Sequence, residues 1–324
     1  MSPRTVLISV HADVCAVLDD PRFTVPPVLD ATPAAPSSPP PRRGHDLAWL
    51  RSTAVRFSNG DAHRRRRSVA LDVLAGLSPS DLRVAAAEHT RTLPLAPPTS
   101  TERPGTVSDG VAFAPVAVLG TRLGIAEYDL PAAVDAVRTI ADVYLSGADG
   151  GQLPPADAAV RLLSGLLDTD DDGDGDGDGD GDLERAAQRI VLLVQACAAT
   201  AGLIRNTLVL VDEHRPSWTR TPPVADLVAE TLRFDPPARR TRRVASTGAT
   251  LAGALIPSGT EVVLDLAAAN RDPAVFTDPD RFLPGRPDAH HLAFGHGLRP
   301  CPGSDHATAL ACGVLDTALS LPSR

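Results

Sequence analysis

One cysteine lies in a run of residues suited to chemistry: Phe294-Gly295-His296-Gly297-Leu298-Arg299-Pro300-Cys301-Pro302-Gly303. The glycines allow positive φ, and the sequence from about Gly303 predicts a helix. A thiol just ahead of a helix meets unpaired N–H groups, and the guanidinium of Arg299 stands two residues away. Both favour thiolate and predict a lowered pKa. Such a thiolate is either a nucleophile or a metal ligand. The four cysteines are widely spaced with no C-x-x-C pair, which argues against a zinc site or a disulfide framework. Cys15 and Cys312 read as structural.

Three further groups invite a chemical reading. Glu230 and Arg233, three apart on an expected helix, share a face and can pair. His63 and Arg67 bracket the run His63-Arg64-Arg65-Arg66-Arg67, one helical turn apart. A nucleic-acid patch would need more basic surface and a reading element, so nucleic-acid binding is not expected. The Asp-Gly repeat at 171–182 invites a calcium reading. Starting an EF-hand loop at Asp172, Asp174 or Asp176 puts its twelfth position on Leu183, Arg185 or Ala187, never on a carboxylate. With no apolar side chain and alternating glycines, residues 168–182 read as a disordered Asp/Gly-rich loop.

Phe294, Gly297, Arg299, Cys301 and Gly303 match the pattern F-x-x-G-x-R-x-C-x-G, and in them the chain resembles the cytochrome P-450 superfamily, in its soluble bacterial form. Glu230-Thr231-Leu232-Arg233 resembles the family's E-x-x-R, with Asn270-Arg271-Asp272-Pro273 and Asp280-Arg281-Phe282 between the two motifs. Residues 11–23 and 291–297 extend the similarity, which is most specific over 224–305. The resemblance implies haem b (iron protoporphyrin IX) with Cys301 as the axial ligand of the iron, a thiolate that assists O–O cleavage. By the same resemblance Phe294, Gly297, Arg299 and Gly303 belong to the cofactor-binding loop. His63, Arg67 and Arg243 would bind haem propionates, although Arg242 is adjacent and the choice slips by one. Glu230, Arg233 and Arg281 would form a buried charge triad. Arg67 would point at haem while its neighbouring arginines face solvent. There they could attract a ferredoxin, supplied by ferredoxin reductase.

The family's distal helix carries an acid followed by an alcohol, a pair that organises the water delivering protons during oxygen activation. The matching stretch here is Gln195-Ala196-Cys197-Ala198-Ala199-Thr200. Ala198 takes the acid position and Ala199 the key alcohol position. Thr200 remains at the second alcohol position, or at the first if the register shifts by one. The resemblance therefore implies a haem-thiolate oxidoreductase acting on a small organic molecule, by hydroxylation or oxidative bond formation with O2 and external electrons. A non-monooxygenase haem-thiolate enzyme (rearrangement, dehydration, peroxide use or nitrene transfer) is the alternative that Ala198-Ala199 raises. A non-catalytic scaffold or partner protein is the third. Measured against the family, both ends look shortened, which predicts an open or unusually shaped distal pocket. A closed pocket built from other segments would overturn that expectation.

These residues must be positioned by a chain of 324 residues, enough for one large domain. The formal charge is −9, yet nine of the 40 acids lie in the 168–182 run, and the rest balance 31 arginines. The acidity is therefore local and implies no chain-wide field. Aromatics at 3% leave the core to Ala, Val and Leu, which favours helix. Apolar spacing predicts helices over 11–18, from 61, over 80–93, 131–146, 155–167, 183–214 and 224–234, and from 303. Strands are expected at 5–10, 243–246, 250–256 and 261–266. Residues 26–44 form a Pro-rich loop and 94–116 an irregular piece. The expectation is one domain over 1–324, mainly α with small antiparallel β-sheets. The uncharged run from Ile190 to Ile204 is short of a membrane span. A cytoplasmic monomer is expected, with no membrane segment.

Overall fold

The computed structural model describes residues 4–26, 45–93, 108–145, 152–167, 179–287 and 290–320. All but the first residue of the expected loop at 26–44, and most of the Asp/Gly run, lie outside these. Helix α8 (Gly179–His214) is the axis of the molecule, about 54 Å long at 1.5 Å per residue. It begins four residues earlier than the apolar spacing indicated, so Gly179–Asp182 are helical rather than part of a disordered loop. By length and composition the helical run Gly181–Ser217, which continues past α8 into a 3-10 turn, could cross a membrane, but most of its apolar window is buried inside this protein. The uncharged run from Ile190 to Ile204 is only the middle of this helix.

Strand β1 (Thr5–Ile8) leads into α1 (His11–Asp19) and β2 (Phe23–Thr24). Helix α2 (Leu47–Thr53) is capped by Asp46, whose side chain accepts from the Trp49 N–H at 2.7 Å. Helices α3 (Gly60–Ala75), α4 (Pro79–Thr92), α5 (Asp109–Arg122), α6 (Leu130–Tyr144) and α7 (Leu153–Leu167) precede α8, and α9 (Val224–Phe234) follows it. Helix α5 occupies the end of the segment expected to be irregular, because Ser108 caps it and its apolar residues are buried nearly all round. Pro115 inside it misled the sequence reading.

Strands β3 (Arg240–Ala245), β4 (Ala249–Leu251), β5 (Ala254–Ile256) and β6 (Glu261–Asp265) come next, then α10 (Leu266–Ala269) and α11 (Ser304–Ala318). The single strand expected at 250–256 is a hairpin, since Ala252 and Gly253 both take positive φ in a two-residue turn. The larger sheet, in order β1-β6-β3-β2, is mixed rather than antiparallel. β1 runs parallel to β6 with Thr5 opposite Glu261, which requires the long excursion through the helices.

Three larger apolar cores result. One joins α2, α5, α6, α7 and α8, a second joins α4, α5, α8, α9 and α11, and the third seals α1 onto the mixed sheet. Helices α4 and α11 cross in close contact. A Cβ on Gly313 would stand 2.1 Å from the Arg83 carbonyl oxygen.

Candidate functional site

The Cys301 loop is shaped by its own backbone and by α1. The Cys301 N–H donates to Phe294 O at 2.7 Å and the Gly295 N–H to Leu292 O at 2.9 Å. Gly295 and Gly297 hold φ of 75° and 64°. At Gly297 an added Cβ would lie 2.0 Å from Asp19 Oδ1 and 2.8 Å from Leu18 O, so glycine is required there twice over. The Leu298 N–H donates to Leu18 O, which fastens the loop to the end of α1.

Cys301 emerges exposed, just ahead of α11. Its thiol pKa is raised, not lowered as the sequence suggested. The residue is exposed, yet desolvation of its thiol by surrounding protein outweighs the Gly303 N–H and the charges of Arg67 and Arg56.

Around this thiol the fold gathers positive charge. His63 is buried on α3, with its pKa pushed down to about 4 by burial, then by Arg299, Arg67, Arg243 and Arg64. Strand alternation turns Arg243 inward and leaves Arg242 outside on Glu261. Burial, then Arg299 and Arg56, push the Arg243 pKa down to about 10. Arg299 is lowered by burial and by Arg67. It donates to the Ser58 carbonyl and, at 3.2 Å, to Asn59 Oδ1. Arg67 donates to Pro300 O at 2.7 Å, and Arg243 to Thr241 Oγ1 and Arg242 O. Among the described residues no carboxylate pairs with Arg67, Arg243 or Arg299.

Like charges gathered without counter-ions oppose folding unless an anion joins them. Among the described residues no group of three His, Cys, Asp or Glu could hold a bare metal ion. A metal at Cys301 would have to bring most of its own ligands. One soft thiol with an adjacent cationic cradle fits an iron macrocycle bearing carboxylates.

Of the arginines beside Arg67, Arg64 and Arg65 are exposed as expected, and Arg66 is the one turned into protein. Arg65 and Arg66 both bind Glu184 at 2.9 Å, holding α3 to the start of α8. Arg66 also donates to Ser52 O and Ser58 Oγ, and Arg64 pairs with Asp61. Within α8, Ala198 and Ala199 are exposed although the helix around them is buried. Thr200 is turned into the protein, and its hydroxyl has no hydrogen-bond partner. Gly202 lets α8 approach Pro237, whose Cβ would lie 2.9 Å from an added Cβ.

Beneath the loop lies a buried ionic network. Arg233 grips Glu230 through two hydrogen bonds of 2.9 and 2.8 Å, with both side chains at most 1% exposed. It also donates to Asn270 O, Pro279 O and Arg281 O. The third charged member is Arg286, whose Nε lies 2.9 Å from Glu230 Oε1. Arg281 is not in the triad. Its side chain is exposed beside Asp278, and it contributes only its carbonyl. The resemblance implied Arg281 for this place, and the fold puts Arg286 there instead. The turn at Pro284-Gly285, which returns the chain to Glu230, was the available signal for Arg286. Asn270, also missed, accepts from the Leu292 N–H at 2.7 Å and so ties this network to the approach of the Cys301 loop.

Comparison with known proteins agrees with this geometry. The family model "Cytochrome P450" matches residues 219–310. A "Biotin biosynthesis cytochrome P450" of Bacillus subtilis is 37% identical over 145 residues, 43% of this chain and 37% of that protein. "Protein DesVIII" of Streptomyces venezuelae is 34% identical over 197 residues, 58% of this chain and 44% of that protein. The matched segments thus span less than half of these curated relatives. Among solved structures, P450BioI in complex with hexadec-9Z-enoic acid ligated acyl carrier protein superposes with a TM-score of 0.75 at 25% identity. That superposition covers 97% of this chain and 84% of the other.

Proposed function

Because the chain belongs to the cytochrome P-450 superfamily, we propose that it is a haem-thiolate oxidoreductase acting on a small organic molecule in bacterial specialised metabolism. One observation carries this reading: among the described residues, cations without counter-ions gather around the exposed Cys301 thiol. Cys301 would ligate the iron of haem b. Arg67, Arg243 and Arg299 would bind its two propionates, with His63, neutral at pH 7, as a hydrogen-bond donor. Bound haem supplies a thiolate-ligated iron for oxidative or redox-neutral chemistry.

The chain's own residues set the limits of that chemistry. The Gly303 N–H and Arg67 stabilise negative charge on the sulfur, and iron ligation would overcome the cost of its burial. Asn270 and the Glu230–Arg233–Arg286 network hold the loop to the protein. Hydroxylation or oxidative bond formation with O2 would draw electrons from a ferredoxin and its reductase, in a cytoplasmic, monomeric protein. Ala198 and Ala199, exposed where the family places its acid and alcohol, favour a second reading. In it the enzyme performs rearrangement, dehydration, peroxide-dependent or nitrene-transfer chemistry, which does not need that proton relay.

The reduced, CO-bound spectrum tests the assignment. The thiolate-type Soret shift is expected in the native chain and its loss in Cys301→Ala. A chain that binds no haem would be a partner protein instead. Turnover with ferredoxin and NAD(P)H, against turnover with peroxide or without reductant, separates the two enzymatic readings. Restoring the pair as Ala198→Asp with Ala199→Thr should raise reductant-dependent turnover, and no change would remove the relay argument.

A further inference from the structure

The cationic cluster has one member more than two propionates require. Arg56 lies in the short 3-10 turn Val55–Phe57 and is exposed. Among the described residues no hydrogen bond or ion pair holds it. Its neighbours fix its place. The Phe57 ring lies 5.3 Å from the ring of Tyr144 at the end of α6. The Ser58 carbonyl and the Asn59 side chain accept from Arg299, two residues before Cys301. Arg56 therefore stands between α6 and the Cys301 loop, and its charge is felt at Tyr144, Arg243 and Cys301.

Tyr144 supplies a second, independent observation. Its side chain is 2% exposed, and its hydroxyl has no hydrogen-bond partner. A buried hydroxyl left unpaired is costly, and few native sites retain one without a use. A free guanidinium whose charge reaches a free phenol supplies the donors that a carboxylate needs.

We propose that Arg56 is a specificity-determining residue that binds the carboxylate of an anionic small-molecule substrate close to Cys301, with the Tyr144 hydroxyl as second donor. This deepens the haem-thiolate reading and rests on it. Arg67, Arg243 and Arg299 match the two propionates, with His63 as a neutral donor. Arg56 is left over, on the side of the cluster that faces α6.

The test compares dodecanoate with dodecanamide as probes, which share a chain and differ in charge. Binding is read by thermal shift of the haem-free and haem-loaded chain, and by the Soret change of the loaded chain. Dodecanoate should bind at least about tenfold more tightly, a difference near 1.4 kcal/mol. Arg56→Gln should abolish that preference while keeping full haem content, Arg56→Lys should restore part of it, and Tyr144→Phe should weaken it. Equal affinity for the two probes in the native chain would overturn the proposal, as would an unchanged preference in Arg56→Gln. Loss of haem from Arg56→Gln would make Arg56 a propionate ligand instead. The haem-free arm reports carboxylate preference even where no CO spectrum develops, so this proposal and the haem-thiolate reading fail separately.

Discussion

At the scale of single residues, burial decides which charges matter. Arg281 and Arg286 lie five positions apart, yet only Arg286 enters the network around Glu230. Glu230 keeps Arg233 when Arg286 is removed, so Arg286→Ala loses one charged hydrogen bond rather than orphaning a buried carboxylate. It should cost about 1.5–3 kcal/mol, and Arg281→Ala less than about 0.5 kcal/mol. Urea denaturation of the two variants checks this contrast. His63 makes a second prediction. Its folded pKa of about 4 lies below the ordinary 6.5, so between those values the unfolded chain takes up a proton that the folded chain refuses. The stability of the haem-free chain should be complete above about pH 6.5 and fall as the pH drops toward 4. In His63→Gln the fall should be shallower, as urea midpoints at pH 7.5 and 5 would report.

At the scale of elements, close approaches carry the architecture. Helices α4 and α11 meet at Gly313, with Ala86 Cβ 2.8 Å from an added methyl, and Arg83 pairs with Asp316 alongside at 2.7 Å. Gly313→Ala must push two backbones apart. The expected loss is about 1–3 kcal/mol, the usual cost of overpacking, measured as a lower thermal midpoint. Gly313→Val should fail to fold or lose more. The same principle places the Cys301 loop, since Gly297 brings it against the carbonyl end of α1. There Gly297→Ala should lower haem retention more than it lowers helix content, as absorbance and circular dichroism would show together.

At the scale of the whole molecule, the cationic cradle and the exposed thiol couple haem to stability. A ligand that binds only the folded chain stabilises it by about 4 kcal/mol at a thousandfold excess over Kd. Haem should thus raise the thermal midpoint of the native chain, with a smaller rise in Cys301→Ala, where the cradle remains and the ligand does not. An equal rise in both would leave Cys301 without a part in binding.

What the amino-acid order determined by itself was local and periodic. Apolar spacing marked most helices, glycines marked the loop, and Cys301, Arg299, Glu230 and Arg233 were legible because each sits in a short fixed spacing. The pairing of Arg233 with Glu230 needed only one helical turn. Tertiary structure decided everything that depends on which side of an element meets protein. It chose Arg286 over Arg281 and turned Arg243 inward. It set Arg65 and Arg66 on Glu184, buried Thr200 and left Ala198 and Ala199 open. It also reversed the expected shift of the Cys301 thiol. The reason is physical. Spacing fixes neighbours along the chain, whereas desolvation and ion pairing depend on residues brought together from distant parts of it, and no short window of sequence contains them.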